Sequence, residues 1–215
     1  MTMTMVPEPA VLALERIGGP ETVAALVTAL ARDADAGVRR LAAEALGCIG
    51  GPPALAALAT ALAGDADTVV RWRAAEALER IGGPPAATAL ATALAGDADT
   101  DVRRRAVVAL GRIGDAAAVA ALAAALAGDA DTDIRQQAAE ALGRIGDAAA
   151  VAALAAALAG NADTWVRREA TKALGRIGNP AAVAALTTAL ARDADTWVRG
   201  WAAMALVEIA KENSA

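Results

Sequence analysis

The sequence contains no histidine, no tyrosine and no phenylalanine, and it has a single cysteine, Cys48, in 215 residues. Without histidine, the chain lacks the commonest general acid or base and the commonest metal ligand of proteins. One cysteine excludes an intrachain disulfide and a zinc site built from several thiolates. No nucleotide-binding motif or catalytic triad is present either. We therefore expect a non-catalytic protein without a metal or a cofactor.

Long apolar runs and an excess of basic residues are also absent. Hydrophobic residues make up 57% of the chain, but alanine dominates them and no run approaches the ~20 residues of a membrane helix. The N-terminus lacks the basic and apolar segments of a secretory signal. A net charge of −5 disfavours general binding to nucleic acid or anionic lipid. We expect a soluble, cytoplasmic protein with no membrane partner, and nucleic acid is the least favoured ligand.

The dominant positive feature is a repeat of constant length. An isoleucine recurs every 32 residues, at Ile17, Ile49, Ile81, Ile113, Ile145, Ile177 and Ile209. A branched apolar residue followed by arginine keeps the same interval, at Val38-Arg39, Val70-Arg71, Val102-Arg103, Ile134-Arg135, Val166-Arg167 and Val198-Arg199. Such self-similarity predicts stacked repeats that each contact mainly their neighbours.

The period divides the chain into six repeats between two short ends. We number the repeats 1 to 6: 18–49, 50–81, 82–113, 114–145, 146–177 and 178–209. Residues 1–8 are predicted to be a disordered leader, 9–17 a capping half-repeat and 210–215 a C-terminal tail. This tail is a short cap, which leaves two interpretations open: a fragment of a longer protein, or an end that self-associates end to end.

Each repeat has the pattern of two helices. In repeat 4, Asp115 is placed to cap a first helix that ends near Gly128. Asp131 or Thr132 can cap the second helix. The apolar residues of both helices follow at helical spacing: Val119, Leu122, Leu126, Ile134, Ala138, Ala141, Leu142 and Ile145. The predicted fold is therefore all-α, a right-handed α-solenoid of stacked helix-turn-helix repeats.

Glycine recurs inside the second helix, at Gly111, Gly143 and Gly175. Each costs about 1 kcal/mol of helix stability relative to alanine. Glycine nevertheless recurs at the same position of the repeat, which predicts that the backbone of a neighbouring helix approaches closely there. Glu79 and Val207 replace the glycine in two repeats.

Aspartate and arginine also recur together, six residues apart. The aspartate position holds Asp33, Asp65, Asp97, Asp129, Asn161 and Asp193, and the arginines are those of the repeated pair above. We predict a ladder of charge-assisted hydrogen bonds between successive repeats. Calcium binding is the alternative, because Asp97, Asp99 and Asp101 copy the first ligands of an EF-hand loop. Val102 and Val108 replace the glycine and glutamate that such a loop needs.

The repeat resembles a known family. The segment Ile134-Arg-Gln-Gln-Ala-Ala-Glu-Ala-Leu-Gly-Arg-Ile-Gly-Asp-Ala-Ala-Ala-Val-Ala-Ala-Leu154 is similar to the phycobilisome-lyase subclass of HEAT-like repeats, and to the artificial alphaRep scaffolds built from it. The likeness covers about 18–209, with one residue more per repeat than is usual in that group. It implies that the second helices line a concave face, on which a fixed set of positions varies with the ligand.

Those variable positions contain all four tryptophans and a series of arginines. The predicted partner-binding residues are Trp72, Arg80, Arg112, Arg144, Trp165, Arg176, Trp197 and Trp201. Tryptophan and arginine are enriched at binding hot spots. Trp165, Trp197 and Trp201 are predicted neighbours. The alternatives are that the indoles only cover gaps between helices, and that Glu76 and Glu140 neutralise Arg80 and Arg144 along their own helices.

These observations favour a non-catalytic protein–protein interaction scaffold that binds a protein partner through the concave face. The resemblance leaves a bilin lyase or phycobiliprotein-associated subunit as an alternative. A designed or consensus repeat scaffold without a native ligand is another, and DNA binding is the least favoured.

Overall fold

The computed structural model describes residues 19–161 and 163–213, which form twelve α-helices and no strand. In chain order these are α1 (Pro20–Arg32), α2 (Ala36–Ile49), α3 (Gly51–Gly64), α4 (Thr68–Ile81), α5 (Gly83–Gly96), α6 (Thr100–Ile113), α7 (Ala116–Gly128), α8 (Thr132–Ile145), α9 (Ala148–Gly160), α10 (Thr164–Ile177), α11 (Pro180–Arg192) and α12 (Thr196–Glu212). Each predicted repeat is one pair of helices, which confirms the all-α repeat fold. The predicted leader (1–8) and capping half-repeat (9–17) lie outside the described residues.

The chain divides into two compact units, Met1–Ile81 and Gly82–Ala215. In the N-terminal unit, α1 packs on α3 and α2 packs on α4. In the C-terminal unit, the first helices α5, α7, α9 and α11 pack in succession, and so do the second helices α6, α8, α10 and α12. Within each unit, therefore, the hairpins stack side by side as the repeat predicts. Among the described helices, none is both long and apolar enough to cross a bilayer.

Capping aspartates start the helices where the sequence predicts. The Asp115 carboxylate accepts a hydrogen bond from the Ala118 amide at 2.8 Å and so caps α7. Asp131, rather than Thr132, caps α8 by accepting from the amides of Asp133 and Ile134. Satisfying the free amides of the first turn in this way stabilises each helix by about 1 kcal/mol.

The core consists of the apolar residues at helical spacing. In repeat 4 the residues predicted to be buried are all less than a tenth exposed, except for the half-buried Ile145. Ala, Val, Leu and Ile fill these positions, and no aromatic side chain of the described residues is buried.

The recurring glycines lie where two second helices touch. A methyl group added at Gly143 would lie 2.6 Å from Ala173 Cβ and 3.1 Å from Ala173 Cα. At Gly111 and Gly175 the corresponding distances to the alanine Cβ of the next repeat are 2.9 and 2.8 Å. The predicted close approach is confirmed, since no side chain fits at these positions without moving the neighbouring helix.

The aspartate–arginine ladder is also confirmed within each unit. Arg39 donates two hydrogen bonds to the Asp65 carboxylate, at 2.8 and 2.9 Å. Arg167 binds Asp193 in the same bidentate way, at 2.9 and 3.2 Å. Each of these arginines also donates from Nη1 to the carbonyl oxygen six residues before it. One guanidinium thus joins the turn of its own repeat to the turn of the next.

The three carboxylates of the calcium alternative have partners inside the protein. Asp97 accepts from the amide of Asp99, and Asp99 accepts from the amides of Asp101 and Val102. Asp101 forms an ion pair with Arg104. These groups therefore shape the turn and cap α6.

Candidate functional site

All eight predicted partner-binding residues lie on the second helices of their repeats. Trp72 and Arg80 are on α4 of the N-terminal unit, and the other six are in the C-terminal unit. Of those six, the structure brings Trp165, Trp197 and Trp201 together at one surface pocket.

The pocket formed by these tryptophans lies between the N-terminal turns of α10 and α12. It has a volume of about 530 Å³, and Thr164, Arg168 and Asp195 complete its lining. Trp165 is 58% exposed and Trp197 is 75% exposed, whereas Trp201, one turn after Trp197, is half-buried. We refer to these six residues as the tryptophan pocket. More than half of the surface of each of the two residues Trp165 and Trp197 is therefore open to solvent.

Local sequence explains why these indoles point outward. Asp163 and Asp195 cap α10 and α12 by accepting from the amides of Trp165 and Trp197, each at 2.8 Å. The residue after each tryptophan is a valine that is fully buried in the core. Since consecutive helical residues point about 100° apart, a buried valine in the first turn directs the preceding indole towards the surface.

Two cations pack against the walls of the pocket. The Arg168 guanidinium carbon lies 4.4 Å from the centre of the Trp165 ring. Lys172 Nζ lies 5.3 Å from the Trp201 ring centre and also binds Glu169 at 3.2 Å. Such cation–π contacts contribute about 0.5–1 kcal/mol each at exposed sites. They hold the two indoles in place before any partner binds.

The eight predicted partner-binding residues do not include Arg168, Lys172, Thr164 and Asp195, although Arg168 and Lys172 stand at variable positions of the concave face that the resemblance implies. Arg168 follows Trp165 by three residues, a spacing that places two side chains on the same helix face. That spacing was the available signal for Arg168. Lys172 contacts Trp201 of the next repeat, and a pairing across two helices has no local signature in the sequence.

The predicted arginines lie along the seams between second helices. The Nη2 atom of Arg176 is 3.2 Å from the position that a Cβ would take at Gly143, and Arg144 Nη2 is 3.5 Å from the same position at Gly111. Arg80 Nη1 donates to Cys48 Sγ at 3.0 Å, across to the helix of the previous repeat. These guanidinium groups therefore reach back to the previous repeat.

The alternative in which Glu76 and Glu140 neutralise Arg80 and Arg144 along their own helices is therefore wrong. Glu76 accepts from Arg73 at 2.8 Å instead of from Arg80. In the described part of the chain, no ion pair joins Glu140 to Arg144. An arginine side chain is long enough to cross the contact between two second helices where that contact is narrow and lined by glycine. Its guanidinium group then lies against the previous repeat rather than beside the glutamate of its own helix. Cys48, which stands 32 residues before Arg80 and so at the same position of its repeat, is exposed.

Trp72 lies on α4 of the N-terminal unit. It is half-buried, and the guanidinium of Arg73 lies 5.0 Å from its ring centre. The exposed Val69 and Leu41 are on second helices of the same unit.

Comparison with known proteins places the chain among helical-repeat proteins. It matches the HEAT repeats over residues 5–79, 60–136, 87–162 and 119–207. It is similar to human deoxyhypusine hydroxylase in complex with glycerol, with 27% identity over 97% of this chain and 92% of that one, at a TM-score of 0.52. No curated protein matches the sequence.

Two further solved structures are similar. An archaeal HEAT-like repeat protein from Thermococcus onnurineus has 14% identity over 91% of this chain and 90% of that one, at a TM-score of 0.52. The complex of CpcE and CpcF of phycocyanin lyase from a Nostoc species has 26% identity over 92% of this chain and 86% of that one, at a TM-score of 0.49. The resemblance of the sequence to HEAT-like repeats is confirmed by the family match. Since the matched segments span most of the chain, it belongs to the family of HEAT-repeat proteins.

Proposed function

We propose that the chain is a non-catalytic protein-interaction scaffold, and that it binds a segment of a partner protein at the tryptophan pocket. The observation that carries this proposal is the exposure of Trp165 and Trp197 on neighbouring second helices. Adjacent exposed indoles form an apolar patch, and apolar patches on a protein surface mark interaction sites.

The free energy available at this surface is sufficient for an anchor. Burying a large apolar side chain contributes about 1.5–3 kcal/mol. Arg168 and Lys172 already restrain Trp165 and Trp201, so binding orders fewer side chains. Two indoles that a partner covers together would therefore act as a hot spot.

The chemistry of the pocket supports binding over catalysis. Its walls consist of indole, guanidinium, hydroxyl and carboxylate groups, and the Asp195 carboxylate is used in capping α12. An indole and a guanidinium provide contact area and hydrogen-bond donors, and neither exchanges protons readily near neutral pH. Polar contacts around this anchor would come from the second helices of the same unit, which carry Arg112, Arg144 and Arg176.

Selection from a library of random displayed peptides tests the proposal. Peptides selected by the native chain are measured for affinity to the double variant Trp165→Ala, Trp197→Ala. We expect the double variant to bind them about 30-fold more weakly or worse, because hot-spot tryptophans contribute about 2 kcal/mol or more.

The matched control is Leu190→Ala, because Leu190 is an exposed apolar residue of the same unit on the first helix α11. This control should leave the affinity unchanged. If the double variant binds the selected peptides as tightly as the native chain does, the tryptophan pocket is not the binding surface.

A further inference from the structure

Within the C-terminal unit, two arginines occupy the same position of their repeats but have different partners for their positive charge. Two of its four repeats carry arginine at this register, Arg104 in repeat 3 and Arg168 in repeat 5. Arg104 forms an ion pair with Asp101, three residues before it. In repeat 5 the place of that aspartate is taken by Trp165, so Arg168 stacks on an indole instead.

Stacking leaves the charge of Arg168 without an acidic partner in residues 19–161 and 163–213. On its own helix, Glu169 is bound to Lys172 at 3.2 Å. On the facing helix, Asp195 accepts hydrogen bonds from two backbone amides of α12. A guanidinium group has five N–H donors in its plane, and a ring contact occupies only its face. The edge of Arg168 is therefore available to an anion from outside.

The charges around the pocket favour an anionic partner. On α10, Arg168, Lys172 and Arg176 are opposed by Glu169 alone. The facing helix α12 is preceded by its cap Asp195 and carries Arg199, Glu212 and the paired Glu208 and Lys211. The exposed surface of α10 is thus locally basic in a chain whose net charge is −5.

We propose that the tryptophan pocket recognises an acidic peptide segment. A large apolar side chain of this segment enters between Trp165 and Trp197, and a neighbouring carboxylate binds the edge of Arg168. The proposal rests on the proposed function and specifies its partner. A carboxylate matches a guanidinium edge with two parallel hydrogen bonds, which a hydroxyl or an amide cannot provide.

A peptide fits this surface better than a nucleic acid does. Nucleic acid brings one phosphate per nucleotide and needs a series of cations along its path. Here the capping carboxylates Asp163 and Asp195 stand at the same helix ends as the indoles. A segment with one or two well-placed acids requires only Arg168 and avoids these caps.

Three fluorescein-labelled peptides test the inference with the full chain. They share a central phenylalanine and are flanked on both sides by two glutamates, two serines or two lysines, and their affinities are measured by fluorescence anisotropy at low salt. We expect the glutamate peptide to bind about tenfold more tightly than the serine peptide, as a charge-assisted hydrogen bond allows. The lysine peptide should bind most weakly.

Two matched variants assign this preference to one residue. Arg168→Gln should abolish the tenfold advantage of the glutamate peptide over the serine peptide, while the affinity for the serine peptide falls by no more than about fivefold because the cation–π contact with Trp165 is lost. Arg104→Gln, whose arginine already pairs with Asp101, should leave both affinities unchanged. Unchanged circular dichroism would show that both variants are folded.

The outcomes separate this inference from the proposed function. Equal affinity for the glutamate and serine peptides, no measurable binding of the glutamate peptide, or equal losses in both variants would overturn the acidic-segment inference. The proposed function fails differently, if Trp165→Ala, Trp197→Ala binds the serine peptide as well as the native chain does. Displacement of the glutamate peptide by oligothymidylate would show that the surface binds nucleic acid, and this also overturns the inference.

Discussion

At the scale of single residues, one aspartate–arginine pair links the turns of neighbouring repeats. Burial opposes ionisation of Asp193, but hydrogen bonds from Arg167 and from the Asp195 amide, with the charges of Arg167 and Arg199, outweigh it and hold the pKa of Asp193 below its ordinary value. Asp65 has a lowered pKa for the same reasons. A lowered pKa in the folded state means that the ionised carboxylate stabilises the fold.

The chain contains a natural gap in this ladder, at Asn161. Without a carboxylate at this position, Arg135 donates to Thr132 Oγ1 at 2.7 Å and approaches Asp163 only to 3.6 Å. The Asn161 side chain accepts from the Asp163 amide at 2.9 Å, and its Nδ2 atom makes only a long contact to the carbonyl oxygen of Leu126, at 3.5 Å. Within the C-terminal unit, the ladder is therefore weakest between repeats 4 and 5.

We expect Asn161→Asp to raise the free energy of unfolding by about 1 kcal/mol at pH 7, because it supplies Arg135 with a charged acceptor. Urea denaturation measures the change. If the new carboxylate has a lowered pKa like Asp193, its contribution is present above the pKa of an unfolded aspartate, about 3.9. It should be lost as the pH falls through the lower folded value.

Asn179→Asp is the matched control for the added charge. Asn179 caps α11 by accepting from the Ala182 amide at 2.9 Å, and asparagine and aspartate cap helices about equally well. This control should change stability little. Equal gains in both variants would show that pairing with Arg135 is not the cause.

At the scale of helices, the distance between second helices depends on the absence of a side chain. Gly143 touches Ala173 of the next repeat, whereas Gly200 on α12 has no neighbouring atom within 4 Å of an added Cβ. Both are helical glycines, and alanine has the higher helix propensity at such positions. The two glycines therefore differ in whether a neighbouring helix packs against them.

We expect Gly143→Ala to lower the free energy of unfolding by about 1–3 kcal/mol, since the new methyl group overlaps Ala173 and forces α8 and α10 apart. Gly200→Ala should instead raise stability by up to about 1 kcal/mol. Urea denaturation of the two variants side by side measures both changes. If Gly143→Ala and Gly200→Ala raised the free energy of unfolding equally, moving α8 and α10 apart would cost no free energy, and the prediction would be wrong.

At the scale of the whole molecule, the C-terminal unit has a core of its own. Its largest fully buried side chains come from repeats 3 to 5: Leu90, Leu110, Leu122, Leu126, Ile134, Leu142, Leu154 and Leu174. Repeat 6 adds the fully buried Leu186. In repeat proteins, stability is approximately the sum of repeat terms and nearest-neighbour terms. Four stacked repeats supply three such neighbour terms.

We therefore expect residues 82–215 to fold when they are expressed alone. The fragment should give a helical circular dichroism spectrum and a cooperative urea transition, and it should keep the emission of its three tryptophans. Leu142→Ala in the fragment should lower the free energy of unfolding by about 2–5 kcal/mol. A transition that is gradual, or insensitive to Leu142→Ala, would contradict an independent core.

Much of this architecture could be predicted because it repeats. A capping aspartate, a buried valine or a close glycine has similar neighbours in each repeat that carries it, so its role follows from its position in the repeat. Asp115, Val198 and Gly143 are examples: each was assigned from spacing, and the structure agrees.

The directions of the long side chains were decided only by tertiary structure. Arg80 contacts Cys48 rather than Glu76, and Lys172 contacts Trp201 of the next repeat. Arginine and lysine have several rotatable bonds, and their alternative surface partners differ by only about 1 kcal/mol or less. The sequence was sufficient for the repeated hairpin and for the outward tryptophans, because core burial is a strong and periodic constraint. The cations around these tryptophans depended on the spacing of two packed helices, which no local pattern encodes.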